Sequence, residues 1–286
     1  MAKEEGRTER AGKVSNISDT ARWVAYHRAL ESERPDALFS DPLARRLAGR
    51  QGEAITQRFE SHRSDWAFVM RTLAFDELIA AEIARGADLV VNLAAGFDAR
   101  PYRLDLPADL RWVEVDLPPL IAEKEALLAG EVARCRLERV ALDLADVTAR
   151  QALLARLGRE AQHILFLSEG LLIYLAPDEV AALARDLAAT RNAHTWVMDL
   201  VNRILLKLLS QTWGRALKKA GAPFKFAPRE GAHFFEPCGW AESRTISVYK
   251  LAAAHRRLPF LMQMAALLPE IRSIQPWGGV LLFERR

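Results

Sequence analysis

The hydrophobic period of this 286-residue chain changes near Gly86. Before that point apolar positions recur with a helical period. Asp19 to Leu30 is one such stretch. Asp41 to Leu47 is a second, opening on Asp-Pro, where aspartate can cap and proline can occupy the first turn. The run "SDWAFVMRTLAFDELIAAEIARG" predicts a long amphipathic helix with Ser64 or Asp65 as its cap and Gly86 as its stop. Beyond Gly86, short apolar runs alternate with helical patterns. "DLVVNLA", "RWVEVD", "RCRLERVAL", "HILFLSEG" and "HTWVMDLV" predict strands, with helices near 118–129, 147–157 and 178–191 between them. This β-α-β-α order implies a mostly parallel sheet with helices on both faces. A helix to about Ala220, the irregular stretch "GAPFKFAPREGAHFFEPCGW" and two last strands near 243–249 and 279–284 complete the pattern. The first twelve or so residues are expected to be disordered.

Open sheets of this kind bind ligands beyond the carboxyl ends of their strands. The residues at those positions are Ala94 to Arg100, Asp116, Asp143, Glu169 and Asp199, so an acid ends almost every strand. Composition changes this picture little. Half the residues are hydrophobic and 27% are charged, as in ordinary globular proteins. A net charge of +3 with scattered arginines gives no reason to expect nucleic acid. The two cysteines, Cys135 and Cys238, suggest neither a disulfide framework nor a zinc site, and no metal-ligand cluster is evident. With no signal-like or membrane-spanning run, a cytoplasmic protein without a membrane partner is expected.

"NLAAGFDARPYRL", residues 92–104, carries the first candidate chemistry. It follows a strand as a nucleotide loop does, yet it lacks two of the three glycines of a dinucleotide turn, and Asp98 would stand where a pyrophosphate should lie. Asp116 falls 20 residues after Gly96, the spacing at which a carboxylate takes both ribose hydroxyls, although Asp116 before Leu-Pro-Pro is also a good helix-capping context. S-adenosylmethionine has no phosphate. It offers adenosine, a sulfonium, an ammonium and a carboxylate, which suit a close backbone approach at Gly96, nearby acids and an arginine fork. An NAD-dependent oxidoreductase and a non-catalytic protein holding the same cofactor are the alternatives. There is no Gly-x-Ser-x-Gly elbow around Ser168 and no Walker loop.

Several of these segments together resemble the leucine carboxyl methyltransferase family, especially its bacterial branch of S-adenosylmethionine-dependent O-methyltransferases. They are "TARWVAYHRALESERPDALFSDPLARRLAG", Arg71 in "RTLAFDE", the turn itself, "WVEVDLPPLIAEK", "ALDLAD" and "SEGLLIYL", spread over about residues 16 to 190. The resemblance implies a doubly wound, mostly parallel seven-stranded α/β sheet of the class I methyltransferase, Rossmann-like kind. A tail and helical cap over 1–64, a cofactor-binding domain over 65–286 and a segment 200–237 that covers the substrate are expected, all within one structural domain. The resemblance puts Arg71 on the cofactor carboxylate, Gly96 beneath the methionyl group, Asp116 on the ribose hydroxyls, and Asp143 and Leu144 at adenine; Ala94, Asp98 and Leu117 are further cofactor-binding candidates. Glu169 faces the ammonium or the transfer site. The methyl acceptor is a carboxylate, or a hydroxyl that needs a base such as Tyr174 or His233.

Two positions depart from that pattern. Leu-Ala-Ala-Gly replaces the commoner Leu-Gly-Ala-Gly, which is tolerable if φ stays negative at Ala94. Asp143-Leu144-Ala145 lacks the arginine of the branch that methylates a phosphatase, so a phosphatase terminus is not the expected acceptor. Arg100 and Arg103 can be solvated or paired to Asp105, and Arg71 taken alone reads as surface. Trp213, His233, Phe234 and Phe235 are either a substrate wall or the satellite core of a loop. A monomer or weak homodimer is expected.

Overall fold

The computed structural model describes residues 17–59, 65–219, 221–272 and 275–286. The N-terminal tail expected to be disordered, Ser64 and Ala220 lie outside the described residues. Helices α1 (Ile17–Ser32), α2 (Ala44–Phe59, broken at Gly49) and α3 (Asp65–Ala84) precede the sheet. Next come β1 (Leu89–Leu93), α4 (Arg100–Arg103), β2 (Arg111–Asp116), α5 (Pro118–Leu127), β3 (Arg136–Ala141), α6 (Val147–Glu160) and β4 (Ile164–Ser168). A 3-10 turn at Leu172–Tyr174 leads to α7 (Pro177–Ala189), β5 (Ala193–Val201), α8 (Arg203–Thr212) and α9 (Gly214–Lys219). A second 3-10 segment, Gly231–Cys238, precedes β6 (Trp240–Ser247), α10 (Val248–Ala254), α11 (Phe260–Ala265) and β7 (Gly278–Arg285).

The seven strands lie in the order β3-β2-β1-β4-β5-β7-β6. The first five are parallel, and β7 runs antiparallel between β5 and β6. The order reverses between β1 and β4, which makes their carboxyl ends the switch point of the sheet. Alternation along β1 explains the two packing faces: Leu89, Val91 and Leu93 point to the side covered by Leu153, Leu157, Leu183 and Leu187 of α6 and α7. Val90 points to the other side, against Phe75, Leu78 and Ile79 of α3. Both faces of the central strands are therefore apolar, which is why β1 and β4 are buried along their whole length.

Three boundaries differ from the sequence pattern for local reasons. The second helix starts at Ala44 rather than Asp41, because the Asp41 carboxylate is buried on Arg28 (Nε to Oδ2, 2.9 Å) instead of capping. The strand expected at 243–249 ends at Ser247, whose hydroxyl accepts from Lys250 N–H at 3.2 Å and starts α10. The stretch before β6 contains the 3-10 segment, which puts Phe235 and Cys238 into the core beside Trp196 and Trp240. Over the turn after β1, α1 and α2 pack through Tyr26, Leu43 and Leu47 onto Phe97, Ala99 and Leu120.

Candidate functional site

The turn after β1 is built around one buried carboxylate. Asn92, within the strand, donates through Nδ2 to Asp98 Oδ2 at 2.8 Å, and Arg100 N–H donates to Asp98 Oδ1 at 3.0 Å. Arg100 then connects three elements. Its Nη1 donates to Asp98 Oδ2 (2.9 Å) and Glu169 Oε2 (2.8 Å), and its Nε to Asp76 Oδ1 on α3 (2.6 Å). Arg103 binds the same Asp76 with two nitrogens, at 2.7 and 2.8 Å. On the other side of Glu169, Arg71 Nε donates to Oε1 (3.0 Å) and its Nη1 reaches Asp199 Oδ2 (3.3 Å), while Gly170 N–H donates to Asp199 Oδ1 (2.6 Å). One chain of alternating charges thus joins α3, the turn and the ends of β4 and β5.

Burial and pairing push these acids in opposite directions. Burial raises the proton affinity of Asp98, but Arg100, Lys124 and Arg28 overcome it and hold the carboxyl far below the ordinary range. Glu169 is held low in the same way, burial being outweighed by Arg100 and Arg71. For Asp199 burial wins over Arg71, and the pKa is raised. Asp116, at the end of β2, is also raised by burial despite two backbone donors, Gly96 N–H to Oδ2 and Leu117 N–H to Oδ1, each at 2.7 Å.

All these strand ends open into a cleft of about 1150 Å³, large for a single small-molecule site. Eight carboxylates and four cations line it. Arg28, Arg71 and Arg150 each have a carboxylate partner, whereas Lys250 bonds only carbonyl oxygens, those of Ala266 and Leu268, among the described residues. Away from the sheet the walls are apolar and aromatic. Trp213 stands edge-on to Trp23 with ring centres 4.8 Å apart, and Phe224 stacks on Tyr174 at 5.6 Å.

Most residues expected at the site from sequence line this cleft: Arg71, Ala94, Gly96, Asp98, Asp116, Leu117, Asp143, Leu144, Glu169 and Tyr174. His233 does not. Its side chain is 81% exposed and meets Glu236 at 2.9 Å, because Phe234 and Phe235 turn inward on the same 3-10 segment and leave it facing solvent. Phe235 is core, not substrate wall, and Trp213 is wall. Tyr174 is in the cleft, but burial pushes its hydroxyl up to about 12, which removes it as a base near neutrality. Ala94 adopts φ +54°, contrary to the expected negative φ, so alanine here bears the strain that glycine would avoid. Asp98 has its charge answered by Arg100 and Asn92, which weakens the case that it repels a pyrophosphate. Asp143 is exposed and accepts from Ala145 N–H at 2.9 Å.

Arg100 and Arg103 are neither solvated nor paired to Asp105; each side chain is at most 3% exposed. Asn92 and Asp76 escaped notice, although an asparagine inside an apolar strand and an acid within the apolar helix "RTLAFDE" were visible signals.

The strand order and the antiparallel seventh strand define the class I methyltransferase fold. Solved structures agree at the level of fold. A candidate methyltransferase from Thermobifida fusca superposes with a TM-score of 0.59 at 15% identity, over 84% of this chain and 92% of that one. A DUF574 family protein from Streptomyces avermitilis gives 0.57 at 14% identity, over 92% and 96%. Residues 21–188 match the family described as leucine carboxyl methyltransferase, and the chain belongs to it. Among curated relatives, a candidate S-adenosyl-L-methionine-dependent methyltransferase from Parafrankia is 36% identical over 60% of this chain, and one from Frankia alni is 36% identical over 64%. The match spans 59% of the length of the first relative and 68% of the second.

Proposed function

We propose that the protein is an S-adenosylmethionine-dependent O-methyltransferase whose acceptor oxygen belongs to a carboxylate on an apolar molecule. The observation that carries the cofactor reading is Asp116, a largely buried carboxylate at the end of β2, oriented through both oxygens by the N–H groups of Gly96 and Leu117. Each oxygen retains acceptor capacity, which suits a vicinal diol. The donor set around it fits the rest of the group: acids outnumber cations in the cleft, as a sulfonium and an ammonium require. At Gly96, φ is +49° and an added Cβ would meet that of Ala21 at 3.3 Å, so the backbone stays bare.

When bound, S-adenosylmethionine supplies an electrophilic methyl group carried on sulfur. Asp116 would hold the ribose, Leu144 and Asp143 the adenine, and Arg71 the cofactor carboxylate. Glu169 and Asp199 provide negative charge for the ammonium, and Arg100 keeps Glu169 ionised and in place. Trp66, Phe68, Trp213 and Phe224 line the acceptor side and would exclude water from the transfer. An ionised carboxylate needs no base, in keeping with the protonated Tyr174 and the outlying His233. Lys250, unpaired with any carboxylate among the described residues, would attract such an anion.

One observation favours a second reading, a hydroxyl acceptor: Asp199 has a raised proton affinity and could serve as its base. Methyl-labelled cofactor incubated with cell extract separates the two. A carboxylate acceptor yields a methyl ester that alkali cleaves to volatile methanol; a hydroxyl acceptor yields an alkali-stable ether. S-adenosylhomocysteine should bind in calorimetry, and its failure to bind, or preferential binding of NAD, would end the proposal. Binding without any transfer leaves a non-catalytic holder of the cofactor.

A further inference from the structure

Ten large apolar side chains are exposed among the described residues, and eight lie in two short segments. Ile204 and Leu208 are on α8. Phe260, Leu261, Met264, Leu267, Leu268 and Ile271, from 47% to 80% exposed, form the outer surface of α11 and the turn that follows it. Neither helix contains a buried residue. The two segments are fastened together: Asn202, the cap of α8, donates through Nδ2 to the carbonyls of Arg272 (2.6 Å) and Gln275 (2.7 Å). Both also line the cleft, through Leu205 and Leu209 on one side and Met262 and Leu268 on the other. The exposed apolar groups therefore rim the mouth of the cleft. Clustering of this kind marks a contact surface rather than ordinary scatter.

Charge identifies what the surface fits. Arg203 and Lys207 stand exposed on α8, and Arg256 a few residues before α11, without a carboxylate partner among the described residues, whereas the neighbouring Arg257 and Arg272 are paired. The one acid within 203–212 and 255–272 is Glu270, which already accepts from Ser247 Oγ and Trp277 Nε1. A second copy of this face would bring like charges together. An anionic bilayer answers both the apolar groups and the cations. We propose that the rim formed by α8 and residues 260–271 docks on anionic lipid, with the mouth of the cleft toward the bilayer. No described helix is long and apolar enough to cross a membrane, and surface docking needs none. The expectation of no membrane partner follows from the lack of a signal-like or spanning run, neither of which surface docking requires.

The proposal does not depend on methyl transfer and is tested without it. The full chain should sediment with vesicles of mixed phosphatidylglycerol and phosphatidylcholine about tenfold or more better than with phosphatidylcholine alone, the scale set by a few cations near a charged surface. High salt should reduce the difference. Leu261→Asp with Leu267→Asp, at exposed positions that do not line the cleft, should abolish sedimentation while leaving the thermal midpoint unchanged. Arg203→Glu with Lys207→Glu should remove the preference for anionic vesicles. Equal binding to both vesicle types, or none to either, overturns the proposal. So does a dimer in solution that Leu261→Asp dissociates, since a second copy would then be the occupant.

Discussion

The two ends of the cleft are built on opposite principles. At the sheet end, Asp76, Asp98, Arg100, Glu169, Arg71 and Asp199 form a continuous network, fully buried at Asp98 and Arg100 and partly buried elsewhere, and each charge is held by residues from another element. At the outer end, α8 and α11 bury no residue, and Lys250 meets only carbonyl oxygens among the described residues. On the proposed function the difference would separate two tasks: a cofactor served by groups fixed in advance, and an acceptor that enters and leaves through a loosely packed mouth.

The largest effect that tests this contrast is loss of Arg100. Arg100→Ala leaves Asp98, Glu169 and Asp76 without their shared cation and should cost about 3–5 kcal/mol in urea unfolding, as breaking a buried ion pair generally does. Trp213→Ala, at the outer end, should cost less stability. It should raise acceptor KM while leaving the affinity for S-adenosylhomocysteine nearly unchanged. A comparable stability loss from both variants would erase the distinction. The network also sets a pH dependence. Asp98 and Glu169 are held below their ordinary values, so their stabilisation is complete above about pH 4–4.5 and is lost as the pH falls through the folded values. In Arg100→Ala that acid-side slope should flatten.

A smaller effect is expected from Asp116→Ala. Losing charge-assisted bonds to the ribose should weaken S-adenosylhomocysteine by about 2–3 kcal/mol in calorimetry, with little change in folding. Because burial raises the pKa of Asp116, acid protonates it sooner than an ordinary aspartate, and affinity should begin to fall at a correspondingly higher pH. Asp116→Asn should bind weakly with no such dependence. An unchanged pH profile in that variant would remove Asp116 from the ribose.

The same contrast explains what could be read from the sequence. Strand ends follow from periodicity, and a parallel sheet puts its ligands beyond them, so Gly96, Asp116, Glu169 and Asp199 are recognisable as neighbours from sequence. Partners of buried charges were not recognisable, because nothing local distinguishes an arginine facing water from Arg100 facing three carboxylates across two other elements. His233 failed for a related reason. A 3-10 segment alternates differently from the helix or strand that local patterns detect, and Phe234 and Phe235 took the inward positions. The apolar residues of α11 are plain in sequence, but apolar letters alone do not say whether a neighbour covers them.

The smallest effect lies at Ala94, an alanine in the left-handed region. With φ at +54°, alanine incurs a left-handed cost of about 1–2 kcal/mol, and glycine would remove it while losing more entropy on folding, about 0.5–1 kcal/mol. Ala94→Gly should therefore stabilise the fold by no more than about 1.5 kcal/mol, or leave it unchanged. Ala94 lines the cleft, so the more informative measurement is binding. If the turn is held by Asn92, Asp98 and Arg100 rather than by Ala94, S-adenosylhomocysteine affinity should stay within about twofold, since those bonds and not the alanine would then fix the backbone. A clear gain in affinity would mean that the methyl group crowds the cofactor, and that the sheet end of the cleft is less completely fixed in advance than its ion pairs imply.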